Sequence, residues 1–300
     1  MRLAITGGTG FVGSHLLDQA VAAGHEVRAL TRRDQPERAG IAWVPGALDL
    51  PDSLAALVDG CDAVIHVAGV INGDRDAFVR GNVAGIEAVI AAATAAGVRR
   101  FVHVSSLAAR EPGLSTYGWS KREAEERVLA SGLDWTAVRP PAIYGPRDRE
   151  LLELFRLARR GVVPVPAGVR MSVIAVEDLC TLLLACVGAP ASVGCVYEAD
   201  DGRPGGWPAA EFVRAIGGAV GRRVLPLSLS RGLLLAAAAG DRLVRRGRAK
   251  LTRDRVDYFC HPDWSVAADA RPPARVWRAA IDTPAGLAAT ARWYQAAGWF

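Results

Sequence analysis

Tyr117 and Lys121, in Tyr117-Gly118-Trp119-Ser120-Lys121, are the residues of this chain best suited to moving a proton. Four positions apart, they share one face of a helix. A phenol in water has a pKa of about 10, too high for acid–base work near neutrality. An ammonium beside it favours the phenolate and lowers that value. Such pairs are common on surfaces. This one follows a series of strand–turn–helix units and comes eleven residues after Ser106, where the apolar run 101–104 ends in Ser105-Ser106. A second group of residues suits phosphate. In Thr6-Gly7-Gly8-Thr9-Gly10-Phe11-Val12-Gly13, the glycines follow the apolar run 2–5 and precede Ser14-His15-Leu16-Leu17, which opens a helix. Strand, tight turn and helix lay a dinucleotide pyrophosphate on a helix N-terminus. Gly7 and Gly10 let backbone approach phosphate, and Gly13 lets the helix pack close to the sheet. The spacing is GxxGxxG, and Thr9, Phe11 and Val12 complete the candidate phosphate loop.

The elements that must position these groups alternate between strand and helix. Residues 26–30 read as a second strand, 41–45 as a third, 63–67 as a fourth and 101–104 as a fifth. Helices are expected over 52–58, 78–96 and 121–129. The second strand ends in Thr31-Arg32-Arg33, with the first acid at Asp34. A carboxylate there would bind a ribose diol, whereas two guanidiniums suit a 2′-phosphate; otherwise the arginines are a solvated loop. This favours NADP(H), with NAD(H) as the alternative. Asp49, beside Leu50, could meet an adenine amino group or cap the next helix. Val67-Ala68-Gly69 are small enough for a cofactor to lie across the strand end. His66, inside its strand, reads as a core histidine.

Three hundred residues can bury a sizeable core in one large domain or a domain with a smaller lobe. A net charge of +5 is modest, and it favours anionic ligands or surfaces. Five scattered cysteines, without CxxC pairs or nearby histidines, argue against zinc and a disulfide framework; no metal site is expected. They fit reduced thiols in the cytosol. The first strand is expected to start at residue 2, so no signal peptide is expected before it, and the apolar stretch 232–240 is too short for a bilayer. Cytoplasm, or the cytosolic face of a membrane, is the expected location. Between 231 and 255, eight basic residues stand against Asp241 and Asp254 beside that apolar stretch. Peripheral contact with an anionic membrane is one reading and a solvated basic tail another. The basic residues lack interleaved aromatics, so nucleic acid is not an expected partner.

The pieces TGGTGFVG at 6–13, AVIHVAG at 63–69, Asn82, VHVSS at 102–106, YGWSK at 117–121 and RPPAIYGP at 139–146 occur in order through the first half of the chain. Together they resemble the extended short-chain dehydrogenase/reductases, the NAD(P)-dependent epimerase/dehydratase family. The resemblance implies an α/β fold, a doubly wound parallel sheet (Rossmann) over 1–147 with a return segment at about 171–190. A smaller C-terminal substrate lobe would occupy 148–300. It implies that Ser106 binds the substrate oxygen, Tyr117 moves the proton, Lys121 holds the nicotinamide ribose and Asn82 supports Lys121. Val104, Pro140 and Ile143 would lie near the nicotinamide, and a homodimer is what the family suggests.

Ala142 stands where sugar-nucleotide epimerases usually carry a substrate-binding asparagine, and the segment between Ser106 and Tyr117 is short for those enzymes. Both features argue against a nucleotide sugar, and the apolar C-terminal lobe, Ala142 and the basic apolar segment 231–255 point to a hydrophobic small-molecule substrate. The branch containing a complex I accessory subunit and bacterial lipid reductases is more similar. The expected function is NADPH-dependent reduction of a long-chain 3-oxo lipid of the 3-ketosphinganine or ceramide kind. A nucleotide-sugar epimerase/dehydratase with bound NAD, and a non-catalytic nucleotide-binding subunit, are the alternatives.

Overall fold

The computed structural model describes residues 1–245 and 252–300. The chain divides into two compact units, one of Met1–Pro140, Glu177–Ala199 and Ala270–Arg278, the other of Pro141–Val176, Asp200–Asp269 and Ala279–Phe300.

The first unit holds the doubly wound sheet that the family resemblance implies. Strands β1 (Arg2–Thr6), β2 (Glu26–Thr31), β3 (Ile41–Pro45), β4 (Ala63–His66), β5 (Arg100–Val104) and β6 (Asp134–Arg139) are joined by Cys195–Glu198. The order is β3, β2, β1, β4, β5, β6 and then Cys195–Glu198, every neighbouring pair parallel. Central parallel strands are covered on both faces, which explains their unbroken apolar runs; Leu3, Ala4 and Ile5 are fully buried. Helices α1 (Phe11–Ala22), α2 (Pro51–Val58), α4 (Gly85–Ala95) and α5 (Thr116–Leu129) follow strands β1, β3, β4 and β5. The last three pack Leu54, Leu57, Ile86, Val89, Ala124 and Val128 into one core with Val64 and Phe101. Chain order reverses between β1 and β4, so their carboxyl ends form the crevice where such sheets bind ligands.

Helix α4 is preceded by α3 (Arg75–Phe78) and a π-helical turn at Val79–Ala84, where the sequence predicted one regular helix over 78–96. By length and composition Arg75–Ala95 is the one described helix apolar enough to cross a membrane. It sends Ile86, Val89 and Ala93 into the core of this unit.

In the second unit, helices Leu152–Arg159, Ala209–Ala219 and Thr283–Ala296 enclose an apolar core that includes Tyr144, Phe155, Phe212, Leu287 and Tyr294. The terminal aromatics are packing groups: Tyr294 is fully buried, with rings 5.2 Å from Phe155 and 5.7 Å from Trp299.

Candidate active site

The glycine turn is fixed by steric contact. Gly7 has φ +74°, and a Cβ there would lie 2.6 Å from the Ala68 nitrogen. At Gly13 a Cβ would lie 2.0 Å from the Gly7 carbonyl oxygen. The turn therefore touches both the strand end at Ala68 and the first turn of α1. Gly10 is the N-cap residue of α1, which has neither a capping side chain nor an acidic residue in its first turn. Its leading N–H groups and positive dipole end suit an anion. These observations fit a dinucleotide pyrophosphate, with Thr9, Phe11 and Val12 on the same turn.

At the end of β2, Thr31 Oγ1 donates to the Arg33 carbonyl and accepts the Arg33 N–H, tightening the turn. Arg32 and Arg33 are exposed, and among the described residues neither takes part in an ion pair. Leu50, not Asp49, is the N-cap of α2, and it makes no side-chain cap bond. Ser53 Oγ organises that turn by donating toward the Ala47 and Leu50 carbonyls. The exposed Asp49 carboxylate is thus not spent on capping.

At the other side of the crevice, Thr6 Oγ1 lies 2.8 Å from His66 Nδ1 and accepts the Ala68 N–H. His66 stacks on His103 at 5.6 Å, and both are buried. Burial, with the Lys121 charge second, pushes His66 down to about 3 and lowers His103 in the same direction. Both are neutral core histidines at physiological pH.

Asn82 occupies the π-helical turn. Its Oδ1 accepts the Val70 N–H at 2.6 Å, and its Nδ2 donates to the Val70 carbonyl and to Ser120 Oγ. It therefore clamps the segment after Gly69 against α5. π-turns of this kind concentrate at functional sites, and no apolar periodicity marks one in advance.

Helix α5 begins at Thr116, a turn earlier than the sequence predicted at Lys121, because Ser115 Oγ accepts the Gly118 N–H as its N-cap. Tyr117 thus lies in the first helical turn and Lys121 one turn on. A Cβ at Gly118 would lie 2.8 Å from the Ala108 carbonyl oxygen, so the glycine brings the helix against the 3-10 turn Leu107–Arg110. Tyr117 is half-buried, its ring 6.1 Å from Phe78. Lys121 is buried and donates to the Val104 carbonyl at 2.7 Å, at the carboxyl end of β5. Desolvation lowers its ammonium to about 8, against the opposing pull of Glu125. Gly69 is where Asn82 and Lys121 converge: a Cβ there would lie 3.2 Å from Asn82 Oδ1 and 3.8 Å from Lys121 Nζ.

The two serines after β5 divide their roles. Ser105 Oγ donates to Glu125 Oε2, whereas Ser106 Oγ accepts the Ala108 N–H. Among the described residues the Ser106 hydroxyl proton has no acceptor. Buried Glu125 and Glu198 and half-buried Arg139 and Arg110 form a chain of ion pairs beside them, which sequence reading missed. Its signal is faint: Glu125 lies one helical turn past Lys121, but Arg139 and Glu198 are remote in sequence. Pro140 accepts the Leu107 N–H, tying the end of β6 to the Ser106 segment. Ile143, expected near the cofactor, pairs with Ile174 in the second unit.

Residues 7–163 match the model of a family described as NAD(P)H-binding. The chain is 38% identical to the ceramide reductase of Caulobacter vibrioides, over 99% of this chain and 95% of that protein. It is 32% identical to the 2-alkyl-3-oxoalkanoate reductase of Stenotrophomonas maltophilia, over 90% and 93%. Among solved structures, MoeE5 in complex with UDP-glucose and NAD shares the fold with a TM-score of 0.75, at 23% identity over 99% of both chains. The chain belongs to the NAD(P)H-binding extended short-chain dehydrogenase/reductases, and it is an NAD(P)-dependent oxidoreductase.

Proposed function

We propose that the protein uses NADPH to reduce a ketone on a long-chain 3-oxo lipid of the sphingoid or ceramide kind. One observation carries the chemistry: a buried lysine hydrogen-bonded at the end of β5, one helical turn from Tyr117 and beside a serine whose hydroxyl proton is uncommitted. Bound nicotinamide dinucleotide supplies the hydride. Ser106 donates its hydroxyl proton as a hydrogen bond to the substrate carbonyl oxygen. Tyr117 donates a second bond there and delivers its proton as charge develops on that oxygen. Lys121, whose ammonium persists at neutral pH, favours the resulting phenolate. Asn82 positions this face by clamping Val70 and Ser120.

The substrate class is supported by the end-to-end likeness to the ceramide reductase, and by Ala142 where sugar-nucleotide enzymes carry an asparagine. The preference for NADPH is supported by Arg32 and Arg33, with no carboxylate at the end of β2. Cofactor titration tests it. Wild type binds NADPH at least about tenfold more tightly than NADH, and Arg32→Ala/Arg33→Ala abolishes the preference, since each charge-assisted bond contributes about 1.5–3 kcal/mol. NADPH consumption with a 3-oxo-sphingoid base or oxidised ceramide then tests the substrate. Preference for NADH refutes the cofactor assignment; no turnover of any long-chain 3-oxo lipid refutes the substrate.

A further inference from the structure

In the second unit, two parallel strands form a ribbon whose first strand alternates between the core and the outside and whose second strand has no buried residue. Val162–Pro166 pairs with Leu225–Leu229, placing Val162 opposite Leu225 and Pro164 opposite Leu227. Val163 and Val165 point into the core. All four of Val162, Pro164, Leu225 and Leu227 are exposed, Leu225 at 65%. A contiguous apolar face of this kind marks an interaction site.

Both strands are entered through arginine pairs, Arg159-Arg160 and Arg222-Arg223. The Leu225 N–H donates to the Gly161 carbonyl, so the pairs meet at one end of the ribbon. There Arg156, Arg159, Arg160 and Arg222 line a groove of about 550 Å³ with Trp299 and Phe300. Arg156 is engaged by Glu153 and the Trp299 carbonyl, and Arg159 lies over the Phe300 ring. Among the described residues Arg160, Arg222 and Arg223 have no ion-pair partner. Guanidiniums beside an apolar face complement a phosphate layer over hydrocarbon.

We propose that this ribbon and its arginines dock the protein on an anionic phospholipid bilayer, with Val162, Leu225 and Leu227 at the acyl boundary and the guanidiniums on lipid phosphates. The inference rests on the second unit alone and stands apart from the reductase reading. This surface is other than the segment 231–255, for which membrane contact was expected from the sequence. There Arg231 and Arg253 pair with Asp257 and Arg255 pairs with Glu150, while residues 246–251 lie outside the described part. An added strand from a second copy is a poorer occupant, because Pro164, Pro166 and Pro226 lack the N–H groups that strand addition uses.

Co-sedimentation with vesicles tests the proposal, comparing phosphatidylcholine alone with phosphatidylcholine containing phosphatidylglycerol. Wild type pellets with the anionic vesicles and stays in solution with the neutral ones. Arg160→Ala/Arg222→Ala/Arg223→Ala weakens binding about hundredfold, at roughly fivefold per arginine. Leu225→Ser/Leu227→Ser also weakens it while circular dichroism is unchanged, and excess inorganic phosphate leaves wild-type binding largely intact. Equal binding to both vesicle types, no binding to either, or wild-type binding by both variants overturns the proposal. So does complete competition by phosphate, which assigns the arginines to a soluble anion. A concentration-dependent dimer lost in Leu225→Ser/Leu227→Ser likewise overturns it by giving the face to a second copy.

Discussion

The glycine turn after β1, proposed to face phosphate, and the side-chain face after β5, proposed to transfer the proton, lie two strands apart in one sheet and are made of different material. The turn is backbone: its specificity comes from atoms that are absent at Gly7 and Gly13, and its contacts leave no room for a side chain. The face after β5 is made of side chains: Ser106, Lys121 and Asn82 are held by hydrogen bonds to carbonyls, N–H groups and Ser120, and the Tyr117 ring lies beside Phe78. The hydroxyl of the half-buried Tyr117 can therefore be removed with little disturbance to the fold, whereas a side chain cannot be added at Gly7 or Gly13 without such disturbance.

The largest effect expected from this difference is at Tyr117. Tyr117→Phe keeps the ring beside Phe78 and removes only the hydroxyl. Ketone reduction falls by about 10²–10⁴-fold, the usual contribution of a positioned general acid. Cofactor affinity and thermal unfolding stay near wild type. A variant that reduces its substrate at the wild-type rate would mean that another group supplies the proton.

Gly13→Ala gives the opposite pattern. Its Cβ would meet the Gly7 carbonyl oxygen at 2.0 Å, backbone against backbone, with no flexible side chain to yield. Overpacking typically costs about 1–3 kcal/mol. Chemical denaturation should show a lower midpoint, and cofactor binding should weaken in parallel. Unchanged stability would mean that the turn is more deformable than its contacts indicate.

The same difference decided what the sequence made legible. Backbone constraint leaves glycines at fixed spacing, and buried parallel strands leave unbroken apolar runs, so the turn and the positions of the strands along the chain could be read directly, whereas the order of the strands in the sheet could not. The side-chain face was legible only as residue types. The spacing of Tyr117 and Lys121 places both on one helix face, yet the helix was expected only from Lys121, because the cap at Ser115 is a side-chain hydrogen bond that leaves no apolar periodicity. The π-turn around Asn82 leaves no periodic mark. The Glu125–Arg139–Glu198 chain joins residues up to 73 positions apart, through strand pairing that the linear pattern does not specify.

The smallest effect lies beneath both regions, in the histidines. His66 is held near 3 in the fold and titrates near 6.5 when unfolded. Between those values the unfolded chain binds the extra proton. Stability is therefore fully present above about 6.5 and is lost as pH falls toward 3. From pH 7 to about 5.5 this histidine contributes a loss of about 1 kcal/mol. Asp148 in the second unit, raised by burial to about 6, acts in the opposite sense between about 4 and 6. The readout is accordingly the difference between wild type and His66→Asn, which cancels the Asp148 contribution. His66→Asn should unfold with a shallower pH slope than wild type over that interval. His103, also lowered by burial and still present, keeps part of the slope. Identical slopes would mean that His66 takes up its proton in the folded state, and the Thr6–His66 contact at the crevice would then be acid-sensitive in the native protein.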